Sequence, residues 1–354
     1  MNILTVIMLI FSVIGAIDRI FGGRLGLVKQ FEKGYMLLGN MALSMLGMII
    51  VAPLLSSWIS PALDFVYNAF GIDPSIIPAS IFANDMGGTA MGLEVMKNQS
   101  VGAFNALVVS SMMGCTISFT IPFALGVVDK SQHKSMFTGM LCGIATIPIG
   151  CFVSGLFCNV GIFTLLINLL PLIIFAALIV LGLLYIPNIS INIFKGLGWF
   201  MSAVITVGLV LGGIGFLSGS PVINGLGDMT EATMICMNAS IVLSGSFTLM
   251  HIVSLILKKP LRAFGKVLGI NEASSSGFIS TIVTNAATFG NMKDMDDKGV
   301  ILNSAFAVSA AFVFGSHLAF TLAYAPNLVF QVIIGKLVSG ICSVVLAVLI
   351  SKRI

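Results

Sequence analysis

Residues 114–124 read GCTISFTIPFA, and residues 315–325, 201 positions further on, read GSHLAFTLAYA. Gly, Phe, Thr and Ala recur at identical spacing, while Ile117, Ile121 and Phe123 meet Leu318, Leu322 and Tyr324. The phrase is irregular, so its return is informative. Moving outward, Asn40 and Gly47 recur as Asn238 and Gly245, and Asn84 recurs as Asn285. PALDFVYNAFGID (61–73) returns as PLRAFGKVLGIN (260–271). Pairs that keep one order argue for a duplication of roughly residues 35–151 against 231–351, with a connecting span at 162–186.

Composition fixes the solvent around these copies. Of 354 residues, 58% are hydrophobic and 8% charged, and the mean hydropathy is +1.11. A soluble domain carries about 25% charged residues, so this chain cannot dress a water-facing surface. Apolar runs near 1–17, 35–58, 101–128, 135–158, 162–186, 196–217, 232–257, 300–325 and 327–351 each approach the ~20 residues that cross hydrocarbon. The fold class is therefore an all-α polytopic membrane protein of about nine transmembrane helices, a single integral membrane transporter domain over 1–354. The first run lacks a basic flank and a small-residue cleavage site, so it reads as a retained span. Six cysteines lie within or beside the spans, without metal-ligand spacing, and read as packing residues. No basic stripe with interleaved aromatics points to nucleic acid, and no motif implies a cofactor or metal. The apolar faces leave room for a homo-oligomer.

Charge orders the loops. Of the 17 Lys and Arg, all but Lys97 and Lys336 fall on one side if the N-terminus is outside and the C-terminus inside. That solution requires 72–97 and 271–297 each to return to the side it entered from. Both are rich in Gly, Ser, Thr, Asn and Ala, and read as re-entrant or broken segments, tolerated at membrane depth where they are buried in protein or line a cavity. Five crossings separate the copies, so the second is inverted. Inverted repeats meeting through two discontinuous segments are a common build of secondary transporters.

Polar groups inside hydrocarbon are costly and few. Asp85, in FANDMGG (82–88), is the acidic residue at the expected tip of the first segment, beside Asn84. Gly87 and Gly88 let the backbone break there. Opposite it, TNAATFG (284–290) offers Asn285, Thr288 and, as a cation–π surface, Phe289. Ser316 and His317 lie in the second copy of the repeated phrase, and Lys336 lies about ten residues into the last span, too deep to reach the surface easily. Each has a plainer role: Asp85 as a helix cap, the asparagines as partners of freed backbone, His317 as an interhelical hydrogen-bond residue, Lys336 as an ion-pair partner of Asp85. Motifs such as HExxH or GxSxG are absent from the spans, which argues against a membrane enzyme. A channel or receptor is the remaining rival class.

Several phrases carry a family resemblance: NDMGG (84–88), SSMMGCTISFTIPFALGVVD (110–129), TIPIGC (146–151), and FGNMKDMDDKG (289–299) with AFAVSAAFVFGSHLAF (305–320). They resemble the ethanolamine permeases of bacterial ethanolamine-utilisation operons, from end to end. The resemblance implies a protein of the bacterial cytoplasmic (inner) membrane that admits ethanolamine, a small amine mostly protonated near neutral pH. Two positions depart from the family's pattern, Ala287 in place of a proline and Ser316 in place of an acidic residue. An ion-coupled carrier for another small amine or amino alcohol is the alternative.

Overall fold

The computed structural model describes residues 2–352, and every regular element among them is helical. The long helices are α1 (Ile3–Ile20), α2 (Val28–Phe70), α5 (Gln99–Val127), α6 (Lys130–Gly155), α7 (Ile162–Tyr185), α8 (Pro187–Ser218), α9 (Met229–Leu268) and α14 (Pro326–Ser351). Short helices lie between them: α3 (Ile76–Ile81), α4 (Gly88–Val95), α10 (Glu272–Val283), α11 (Asn285–Gly290), α12 (Asp297–Ser309) and α13 (Ser316–Tyr324). Eight helices among the described residues are long and apolar enough to cross a membrane. The sequence predicts about nine.

The difference lies at 300–325, which is not one helix. It is α12 followed by α13, with non-helical residues 310–315 between them. The matching stretch of α5 stays continuous by widening into π-helix over Asn105–Gly114 and Thr116–Thr120. Regular i→i−4 bonding is thus lost just ahead of both phrases, at 109–114 and 310–315: the first stretch relaxes by π-bonding, the second breaks before α13 resumes a regular helix.

Both intervening segments have ends that meet. Asp73, before α3, accepts hydrogen bonds from the backbone N–H of Lys97 (3.0 Å) and Asn98 (2.7 Å) before α5. It also accepts from the N–H (3.0 Å) and hydroxyl (2.5 Å) of Ser75. Asn271, before α10, donates its N–H to Asp296 (3.2 Å) and its side-chain amide to the Asp294 carbonyl (2.9 Å). The chain therefore leaves and returns at one point in each case, with backbone polar groups at the closure paired as burial requires.

The helices pack through small residues. A Cβ on Gly139 of α6 would sit 2.1 Å from the Ile301 carbonyl oxygen of α12, and one on Gly150 would sit 2.3 Å from the Gly335 oxygen of α14. Hydroxyls stitch the seam: Thr146 and Ser154 of α6 donate to the carbonyls of Ser339 and Gln331 on α14. Lipid offers no hydrophobic drive for helix association, so close backbone approach and hydrogen bonding replace it. The outer faces of α7 and α8 instead present exposed apolar side chains such as Phe163, Leu178, Trp199 and Val207.

Asp73 is 2% exposed and serves four donors. Asp73→Ala should lower stability by about 3 kcal/mol, because buried donors are left unpaired. Asp129 makes the same two bonds to Ser131 but is exposed, so Asp129→Ala should destabilise far less than Asp73→Ala. Thermal unfolding of the two variants in detergent should separate accordingly.

Candidate functional site

The tips of both broken segments hang from the first repeated phrase. In α5, Ser118 accepts a hydrogen bond from the Ala83 N–H (3.0 Å), and Thr120 accepts from the Asn285 side-chain amide (3.0 Å). Thr116 ties the same helix to α12 by donating to the Val308 carbonyl (2.9 Å). Beneath these tips opens a cavity of about 410 Å³. Asp85, Ser316 and His317 line it together with Lys33, Phe119 and Phe312. The sequence placed the first three there.

Asp85 caps no helix: the N-cap of α4 is Gly87, and no side chain makes a cap bond there. Its carboxylate instead lies 3.7 Å from His317 Nε2. The other ring nitrogen, Nδ1, is 3.1 Å from the Lys336 Nζ, which also donates to the Ser111 carbonyl. A lysine ammonium only donates, so Nδ1 is the acceptor and Nε2 carries the proton, aimed at Asp85. The result is a relay of three side chains, Lys336–His317–Asp85. The direct ion pair of Lys336 with Asp85 that the sequence suggests is not formed; an imidazole stands between the two charges. Lys336 has no solvent exposure, and Asp85 keeps 15% of its side-chain surface open to the cavity.

The remaining candidates take other places. Gly87 has φ +106, and its Cα is packed so that a Cβ would lie 2.3 Å from Met48 Cγ. A Cβ on Gly88 would lie 2.2 Å from the Phe82 carbonyl oxygen. Both glycines therefore shape the turn that presents Asp85. Asn84 accepts from the Asp85 N–H (2.9 Å), leaving its own amide nitrogen unpaired, and the Asn285 side-chain oxygen is likewise unpaired. Thr288 bonds to Thr281 (2.8 Å) and to the Gly277 carbonyl (3.1 Å), away from the cavity. Phe289 is 1% exposed and packs beside Phe123 in the apolar core, so the cation–π surface expected of it is not available from the cavity.

Aromatic rings the sequence did not single out do face the cavity. Phe312 packs on His317 with ring centroids 4.9 Å apart, and Phe119 meets Phe312 edge to face at 5.7 Å. Phe119 is the sole residue from 105 to 120 on α5 that is not buried. Phe312 has φ +61, a left-handed conformation that costs a bulky residue about 1–3 kcal/mol. It is held there by its N–H bond to the Thr281 carbonyl (3.1 Å), with the Phe314 N–H on the Ile282 carbonyl (2.9 Å). Phe119 recurs as Phe320 in the repeated phrase, but that repetition does not say that its ring faces a cavity, and nothing singles out Phe312 among 26 phenylalanines.

The cavity continues in one direction. It shares Lys33, Phe247, Val283 and Thr284 with a second space of about 200 Å³ between α9 and α10. That space shares Ser254, Ile279 and Ser280 with a third of about 250 Å³, which ends at Lys258, Arg262 and Glu272. On the other side of the first tip, Met48, Val51, Ala52, Met91, Met201 and Ile205 pack into an apolar cluster.

Membrane-length helices around a buried, ionisable cavity define an integral membrane transport protein. The chain belongs to the EutH family of ethanolamine utilisation proteins, whose family model matches residues 1–350. It is 42% identical over 352 residues to a probable ethanolamine permease EutH of Listeria monocytogenes, covering 99% of this chain and 94% of that protein. Over 390 residues it is 36% identical to a probable ethanolamine permease EutH of Escherichia coli K12, covering 99% and 96%. An uncharacterized protein of Bacillus subtilis, YxeR, is 35% identical over 331 residues, covering 94% and 90%. No solved structure gives a significant match. The resemblance carried by the repeated phrases is thus a family membership.

The relay makes a test of its own. Lys336→Met strands the Asp85 charge, and Asp85→Asn strands the Lys336 charge, each in a buried setting. The double variant removes both. It should be more stable than the sum of the single losses implies, with a coupling of about 1–3 kcal/mol in a thermal-unfolding cycle.

Proposed function

We propose that this protein is a permease that carries ethanolamine, as its ammonium ion, into the bacterial cytoplasm by alternating access. It is a single transporter domain built of two inverted repeats whose broken segments are re-entrant. The observation that carries the reading is Asp85: a carboxylate that caps nothing, faces a cavity and is backed by His317 and Lys336. The closed ends at Asp73 and Asn271 support re-entry. So does the parallel disruption of α5 and α12–α13.

In the empty site, the fixed charge of Lys336 offsets Asp85 through the imidazole. A substrate ammonium takes the carboxylate from the His317 N–H, while Ser316 and nearby carbonyl groups are there for its hydroxyl. The loaded site then carries one net positive charge, so the membrane potential itself drives entry and no Na⁺ site is required. The run of cavities from Asp85 toward Lys258 and Arg262 supports an inward-open state, with the Met48 cluster closing the outer path. Ethanolamine has four non-hydrogen atoms, and about 1.5 kcal/mol per atom is a ceiling for so small a ligand. Affinity is therefore bounded at tens of micromolar, about −6 kcal/mol.

Proteoliposome uptake tests this directly. One charge in a 100 mV field is worth about 2.3 kcal/mol, equivalent to roughly 50-fold accumulation. Uptake should approach that ratio at an imposed inside-negative potential without Na⁺ or a pH gradient. Asp85→Asn should cut binding about 10- to 100-fold, the usual loss for one charge-assisted hydrogen bond. Accumulation that needs an imposed ion gradient at zero potential would replace uniport with coupled transport of the amine.

Orientation has a separate check. With the N-terminus outside and the C-terminus inside, cysteines placed at positions 29 and 262 in a background without native cysteines should both react from the cytoplasmic face. Labelling from opposite faces would remove the inverted topology.

A further inference from the structure

We infer that Phe312 is a specificity-determining residue that adds to the preference of Asp85 for an ammonium ion over a neutral group of the same shape. The inference rests on the cavity being the substrate site and names a second group that reads the substrate's charge. Three independent features converge on it.

The first is position. Phe312 lines the cavity with Asp85, and its ring lies 4.9 Å from the imidazole whose Nε2 is 3.7 Å from the carboxylate. A cation drawn to Asp85 enters the cavity that this ring walls, and an aromatic face attracts a cation that comes within roughly 6 Å of it. Phe119 meets Phe312 edge to face, which fixes the orientation of the Phe312 ring in the cavity wall.

The second is backbone geometry. At φ +61 a glycine or asparagine would sit with little strain. The position holds a large ring instead, pinned by the hydrogen bonds of 312 and 314 to the end of α10. A strained, half-buried phenylalanine is explained by what its ring does, because its backbone conformation disfavours it.

The third is precedent within the cavity. Lys33 Nζ already stands 5.1 Å from the centroid of Phe247 at the mouth. That aromatic face is occupied by a protein cation, and no lysine or arginine occupies the face of Phe312 among the described residues. Asp85 already favours an ammonium over a hydroxyl by charge. The aromatic face adds a further attraction for the cation that a neutral hydroxyl does not share, and so widens the gap between an amine and an alcohol.

The test uses full-length protein in detergent or nanodiscs, titrated calorimetrically with ethanolamine and with ethylene glycol, its neutral counterpart. Phe312→Leu should weaken ethanolamine binding about 3- to 30-fold and leave the glycol unchanged, while Phe312→Trp should stay within about threefold of the parent. Phe312→Asn, suited to the backbone, should keep or raise the melting temperature while losing ethanolamine affinity. Phenylalanines carrying one, two or three fluorines at position 312 hold the shape nearly constant. They should weaken ethanolamine binding in graded steps, and that series stands even where Phe312→Leu fails to fold. A flat fluorine series, or equal losses for ethanolamine and glycol, overturns the inference alone. Absence of ethanolamine binding by the parent protein overturns the substrate reading, and this inference with it.

Discussion

Seven residues of α5, Gly114 to Thr120, hold the centre of this molecule together. A broken helix inside hydrocarbon frees backbone groups that water cannot reach, and each left unpaired costs several kcal/mol. Ser118 and Thr120 take up donors from the two tips, Thr116 reaches α12, and the intervening Phe119 faces the cavity. Two positions apart on this π-helical stretch, Ser118 and Thr120 point in different directions and so address two different segments. Without them the two tips would lose their common anchor.

The relay beside that anchor solves a second problem. A lone carboxylate at this depth would not stay charged, and a directly bonded lysine would compete with any incoming cation. An imidazole between them keeps the lysine's charge near, with its Nε2 3.7 Å from the carboxylate, too far for a hydrogen bond. Asp85 is thus left without a direct ion pair to Lys336, and a buried ion pair would add little stability in any case.

Much of this was legible in the sequence. The duplicated phrases, the two Gly-, Ser- and Asn-rich segments and the rarity of ionisable residues at membrane depth point to Asp85, Ser316 and His317, and the structure puts those three on one cavity. Lys336 is close by, though separated from Asp85 by the ring of His317. The break at 310–315 was not legible, because residues 300–325 stay apolar on average despite Asn303, Ser309 and His317, and hydropathy cannot distinguish a continuous helix from a bent chain. Thr288 and Phe289 failed as cavity residues for a related reason. Helical phase beyond a break depends on how the backbone turns at Thr284, which spacing does not encode. Phe119 recurs in the repeated phrase, yet its role there, like that of Phe312, shows only in the tertiary setting that turns both rings to the cavity.

The seam of α6 against α12 and α14 has a consequence for how such chains diverge. At Gly139 and Gly150 the neighbouring backbone oxygen occupies the space of a methyl group, so neutral drift is barred there by geometry rather than by chemistry. On the lipid-facing sides of α7 and α8, one branched or aromatic side chain serves as well as another, since acyl chains adapt to either. Lineages of this protein are therefore free to rewrite their outer coat while the inner seam stays frozen. Two sequences can look distant along α7 and α8 and still enclose the same cavity.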